Sequence, residues 1–245
     1  MNREVKPGVR KQISPIYDKE SKSYVQKRIW MSSYIFVKII RAIYYAVNLI
    51  VQKYGTKVKV LNLGSDPGWL EANLLQNNFK ECFWLSLDTA PSMAKKAKLS
   101  GPNDVITADA HFLPFKDNTF DVIITTRAIK FLNRYTLLTE AKRVLKSQGF
   151  LLILFDCGDA LWIRFLEKFG VLVDVGVNRR TLTTKELTSE LRSFGFKILL
   201  LCPITSLPLS LFTHIPKLLW GVLKLIDLPR LIRPRLNMIL AVREI

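Results

Sequence analysis

The chain sets short runs of consecutive apolar residues between longer amphipathic stretches. From Lys57 onward the runs near 58–63, 83–87, 104–107, 121–125 and 149–155 are continuous rather than alternating. Runs of that kind predict strands of a parallel sheet covered on both faces. Residues 69–78, 91–99, 133–147 and 184–194 carry apolar positions at helical spacing and predict helices between the strands. Gly55, Gly101 and Gly149 stand where turns are needed. Two more strands are expected at 196–201 and 238–243, so the reading is an α/β fold with a seven-stranded sheet.

Two stretches depart from this alternation. Residues 29–51, IWMSSYIFVKIIRAIYYAVNLIV, are long enough to cross a bilayer but hold Lys38 and Arg41 near their middle. Central charges cost about 2.5–3.5 kcal/mol each on insertion, which favours a helix packed on the sheet or lying at an interface. Residues 203–237 are broken by Pro208, Pro216, Pro229 and Pro234 into short helical pieces. There Leu218, Leu219, Val222, Leu223, Leu225 and Ile226 are flanked by Lys217, Lys224, Arg230, Arg233 and Arg235. The mixture reads as an interfacial or lid element, or as an insert covered by its own domain or a dimer partner. The expected organisation is a basic N-terminal extension over 1–56, a core over 57–202, the insert over 203–237 and a last strand over 238–245.

The net charge of +17 sharpens that division. Residues 1–60 hold 13 Lys/Arg against 3 Asp/Glu and residues 156–245 hold 13 against 8, whereas 61–155 hold 11 against 9. The excess therefore flanks a nearly neutral core. It points to an anionic partner: a membrane surface, a nucleic acid or a phosphorylated substrate. Cys82, Cys157 and Cys202 are scattered, as buried thiols of an intracellular protein would be. His111 and His214, the two histidines, lack companions at metal-ligand spacing. MNREVKPGVRKQ has no apolar signal-peptide core, so a cytoplasmic protein is expected, peripheral at the inner membrane face.

The chemistry concentrates after the first strand. KVKVLNLGSDPGWL, residues 57–70, is an apolar run ending in a glycine-containing turn, and a second run closes on Asp88. Strand, turn and helix bring backbone N–H groups to a nucleotide-type ligand, and an acid about 20 residues on can hold ribose hydroxyls. With WLSLDTAPSM, VITADAHFLPFKDNTFDVIITTRAIKF and EAKRVLKSQGFLLILF, this segment resembles the successive motifs of class I S-adenosylmethionine-dependent methyltransferases. The branch it is most similar to includes the quinone-biosynthesis enzymes. LTTKELTSELRSFGF, residues 182–196, resembles that family's late helix before the sixth strand.

The resemblance implies S-adenosylmethionine as cofactor and a Rossmann-like sheet with helices on both faces. It places Asn62, Gly64, Ser65, Asp66 and Gly68 in the first loop, Asp88 on the ribose, and Thr89 and Met93 beside the adenosine. Asp109 and the Ala110 N–H would meet adenine, and Thr126 the methionine part. The family usually has an acid where Asn62 stands and a glycine where Asp66 stands. Asp66 precedes Pro67, which biases it to extended angles, so the usual glycine is expected to serve close approach. A carboxylate there would repel the ligand's own by about 1 kcal/mol at 4 Å in water, or about 4 at a dielectric of 20, and the ligand's ammonium, if closer, would reverse the sign.

Tyr17-Asp18 resembles the Tyr-Asp of an N-terminal lid in related enzymes. Arg127 and Lys130 follow the fourth strand, where they could hold an anionic substrate or cap the sheet's end. His111 could line the pocket or be a surface loop residue. No motif marks a general base, and in-line methyl transfer needs one only when the acceptor must lose a proton. The function expected is methyl transfer to a small or lipid-like acceptor of isoprenoid or quinone type. The alternatives are a tRNA methyltransferase and a methyltransferase-like scaffold that has lost its cofactor through Asn62 and Asp66.

Overall fold

The computed structural model describes residues 14–15, 17–19, 33–55, 57–75, 79, 81–158, 182–205 and 236–244. Most of the expected 203–237 insert, including His214, and nearly all of residues 1–28 lie outside them. The elements in chain order are α1 (Ser33–Tyr54), β1 (Lys59–Leu63), α2 (Trp69–Leu74), β2 (Phe83–Asp88), α3 (Pro91–Ala97), β3 (Asp104–Thr107) and β4 (Phe120–Thr126). They continue with α4 (Arg134–Val144), β5 (Leu145–Asp156), α5 (Thr184–Ser193), β6 (Phe196–Thr205) and β7 (Leu236–Arg243).

Seven strands form one sheet in the order β3-β2-β1-β4-β5-β7-β6. The first five are parallel, and β7 runs antiparallel between β5 and β6. Successive residues along a strand face opposite sides, so Val60, Trp84, Val122 and Leu152 join one apolar layer and Leu61, Leu85, Ile123 and Leu151 the other. The first layer is closed by α1, whose Ile35, Ile39, Ile43, Ala46, Val47 and Ile50 are buried. The second is closed by Leu137, Leu138 and Ala141 of α4 and by Leu187 and Leu191 of α5. Thr183 begins α5 with a reciprocal capping box: its hydroxyl accepts the Glu186 N–H while Glu186 accepts the Thr183 N–H.

Helix α1 is long and apolar enough to cross a membrane, yet its buried stripe lies on the sheet. Val37, Tyr45 and Leu49 face outward on the opposite side, in line with exposed Arg41.

Several boundaries differ from those expected. The helix expected to 147 ends at Val144, because Leu145 is buried and pairs with Phe120 as the start of β5. Strand β6 runs through Pro203 to Thr205, past the expected end at 201. A proline is tolerated there because β6 is an edge strand.

Candidate active site

The carboxyl ends of β1, β2, β3 and β4 open together on one rim, and the loops leaving them line an open cavity of about 820 Å³, solvent at its mouth included. The first loop is stitched to β2: the Gly64 and Ser65 N–H groups both donate to Leu87 O, at 2.8 and 3.0 Å. The Asp66 N–H donates to Asp88 Oδ2 at 3.0 Å. Gly64 has φ +72°, and a Cβ on it would lie 2.6 Å from Ala128 Cβ, so its lack of a side chain lets the β4 turn close over the loop. Gly68, at φ +81°, caps α2, where a Cβ would strike Ser100 and the Ala97 backbone.

Asp66 corrects one expectation. It is left-handed, at φ +51°, and not extended. The bond from its N–H to Asp88, and one from Trp69 Nε1 to its Oδ2 at 3.4 Å, outweigh the bias imposed by Pro67. A glycine at this position would relieve backbone geometry. The Asp66 carboxylate leans toward Trp69 as well as lining the cavity.

Asn62 lies elsewhere. Strand alternation points it away from the cavity, where its Nδ2 donates to Glu71 Oε1 at 2.7 Å. The Ser86 hydroxyl donates to the same oxygen, and all three residues are fully buried. Burial raises the Glu71 pKa despite those two donors. An acid absent from position 62 is thus present across the interface, on α2. Ser65, Gly68 and Met93 also stand behind the cavity wall: Met93 packs with Ala90 against Tyr17.

The remaining candidates converge on the cavity. Asp88 accepts from Ala90 N at 2.9 Å as well as from Asp66 N. Burial, reinforced by neighbouring Asp66 and opposed by these N–H groups, pushes its pKa up to about 7. Thr89 lines the wall with its hydroxyl buried and unbonded, an open polar partner for a ligand hydroxyl. Asp109, Ala110 and His111 face it from the β3 loop, and Thr126 from the end of β4. His111 is 4 % exposed, not a surface loop residue.

The far end of the cavity is built by the β4 turn. Arg127 is left-handed, at φ +64°, and its guanidinium reaches Asp156 Oδ2 at 2.9–3.0 Å. Lys130 meets the same oxygen at 3.5 Å. Both cations thus cap the sheet's end through Asp156 while also lining the cavity, so neither expected role excludes the other. Asp156 carries no motif signal; its place at the end of β5 is the one hint. Phe131 and Leu132 add an apolar wall, and Tyr17 meets Phe131 edge-on with centroids 5.9 Å apart. Asp18 holds that N-terminal segment in place: its Oδ1 accepts from Ser92 N at 3.0 Å, at the start of α3. Among the described residues no group of acids, cysteines or histidines could hold a metal.

These features fit a cationic, hydroxyl-bearing ligand. Asp66, Asp88 and Asp109 face the cavity as acceptors for ammonium, hydroxyl and amino groups, and the Thr89 hydroxyl lacks a partner of its own. Residues 61–153 match a family model described as a methyltransferase domain. Over 98 residues the chain is 37 % identical to a demethylmenaquinone methyltransferase of Thermotoga maritima, an alignment covering 39 % of this chain and 42 % of that enzyme. Over 177 residues it is 27 % identical to an uncharacterized protein of Methanocaldococcus jannaschii, covering 72 % of each. A crystal structure of a SAM-dependent methyltransferase from Thermotoga maritima superposes with a TM-score of 0.66 at 18 % identity, over 95 % of this chain and all of that one. Strand order and the superposition give the chain the fold of the SAM-dependent methyltransferases, and residues 61–153, which supply the loops of the cavity, are similar to a methyltransferase domain.

Proposed function

We propose that this protein methylates a small, lipid-like acceptor of isoprenoid or quinone type. The observation that carries the reading is the polarity gradient along one cavity: carboxylates at the β1–β3 end, and an apolar wall of Tyr17, Phe131 and Leu132 with two cations at the β4 end. Bound S-adenosylmethionine supplies a methyl carbon already activated by its sulfonium. Asp88 and Thr89 would hold the ribose hydroxyls, Asp109 and the Ala110 N–H the adenine, and the Gly64 loop with Thr126 the methionine part. What remains for the chain is to align the acceptor and exclude water, which the aromatic wall favours. Arg127 and Lys130 suit an acceptor with an anionic or polar head, and the Thermotoga maritima relative, a demethylmenaquinone methyltransferase, supports a quinone-like body.

Contact with an anionic membrane is part of the same reading. Its support is the outward stripe of α1, where Val37, Tyr45 and Leu49 flank Arg41, and the charge of +17. A protein so placed works at the cytoplasmic face. Absence of co-sedimentation with anionic liposomes at modest salt removes this part.

Isothermal titration of S-adenosylmethionine and S-adenosylhomocysteine, with Asp88→Ala as control, tests the cofactor site. Transfer of labelled methyl to quinone, lipid and tRNA acceptors then tests the substrate class. Labelling of tRNA alone would replace the lipid reading with an RNA one, in which the basic flanks bind phosphates. Failure of a folded protein to bind either ligand would leave a non-catalytic scaffold.

A further inference from the structure

We infer that His111 is a positioning residue: it orients the Asp109 carboxylate and ties the β3 loop to the turn that walls the acceptor end. Both of its ring nitrogens are engaged. Nδ1 lies 2.6 Å from Asp109 Oδ1, and Nε2 lies 2.8 Å from the Asn133 backbone nitrogen. A backbone N–H can only donate, so Nε2 is the acceptor and the ring proton sits on Nδ1, where it donates to Asp109. The ring therefore bridges two segments 22 residues apart in sequence. With its acceptor nitrogen occupied, His111 is not placed to take a proton from an acceptor, so its role is orientation and not general-base catalysis.

The bond falls where it decides geometry. Asp109 Oδ1 also accepts the His111 backbone N–H at 3.0 Å, so two donors converge on one oxygen and fix the rotation of the carboxylate. Any residue but proline at 111 would give the backbone donor; the second comes from the side chain. On the other side, Asn133 caps α4, its Oδ1 accepting the Thr136 N–H at 3.2 Å. The turn just before it contributes Lys130, Phe131 and Leu132 to the cavity. One buried ring thus sets the adenine end and the acceptor end in a common register.

This inference rests on the cofactor reading above. The two nitrogens can be separated by substitution: asparagine places an amide N–H near the reach of Nδ1, and glutamine an amide oxygen near that of Nε2. Binding of S-adenosylhomocysteine and of its inosine analogue, S-inosylhomocysteine, is measured by calorimetry for the wild type, His111→Asn, His111→Gln, Asp109→Ala and the Asp109→Ala/His111→Gln double variant. Circular dichroism confirms that each is folded.

A carboxylate held toward the purine edge accepts from an amino group and repels the hypoxanthine oxygen, so the wild type should prefer adenine about tenfold or more. His111→Asn should keep that preference within about threefold, whereas His111→Gln should lose about tenfold in affinity together with the preference. The double variant should bind no more weakly than Asp109→Ala alone. A wild-type preference kept intact by His111→Gln overturns the inference and leaves the cofactor site standing. A wild type that binds neither ligand overturns both.

Discussion

With Asp88 on the ribose as proposed, raising the pH from 6 to 8 should tighten S-adenosylhomocysteine binding about tenfold, because only a carboxylate accepts two hydroxyls. In the free protein burial holds its pKa at about 7, against an ordinary value of 3.8. If only the ionised form binds, the apparent Kd equals the intrinsic one multiplied by one plus the ratio of protonated to ionised Asp88. That factor is about 11 at pH 6, about 2 at pH 7 and about 1.1 at pH 8. Calorimetric titrations at half-unit intervals resolve such a curve. Asp88→Asn should bind weakly at every pH and show no slope over this range. The reasoning fails if the wild-type Kd changes less than twofold between pH 6 and 8, or if the asparagine variant keeps the slope. Stability follows from the same shift with a definite sign. The folded free protein holds the Asp88 proton more tightly than the unfolded chain does. It therefore loses stability from this group as pH rises from about 4 to about 7, and no more above that.

Gly64→Ala adds a left-handed penalty of about 1–2 kcal/mol to an overlap with Ala128 of about 1–3 kcal/mol, read as a lower denaturation midpoint with loss of cofactor binding. Ala128→Gly in the same chain should restore the steric part alone. Glu71→Gln, which keeps the shape of the buried acid, should lie within about 1 kcal/mol of wild type, whereas Glu71→Ala should cost about 3 kcal/mol by chemical denaturation. The raised pKa of Glu71 also makes the fold weaken as pH climbs above its ordinary 4.5, a trend that Glu71→Gln should remove. Thr183→Ala, which breaks the α5 capping box, should lower stability by about 1 kcal/mol and leave cofactor affinity unchanged.

The sheet was legible because apolar run length and strand burial express the same physics: a strand covered on both faces needs no polar alternation. The place of Gly64 and Asp88 at the cavity was legible because a left-handed turn calls for glycine and the acid closes the neighbouring strand. Asn62 read as a cofactor residue from its place in the motif, although Leu61 and Leu63 on either side already assign it to the opposite face. Asp66 misled because the bias set by a following proline is local, while the bond to Asp88 spans 22 residues. Glu71, Asp156 and the bridging role of His111 depend on partners far along the chain, and composition gives no sign of such pairs.

The antiparallel seat of β7 has a consequence for how this rim can change. Thr205 and Leu236 are register partners, so the chain between them departs and returns at one point, beside Asp156, which pairs with Leu236 from the other side. The entropy of closing such an excursion grows only logarithmically with its length, by about 0.6 kcal/mol per doubling. Residues can therefore be gained, lost or exchanged there at little thermodynamic penalty to the sheet. The register of the seven strands, and the carboxylates they aim, stays fixed through such changes.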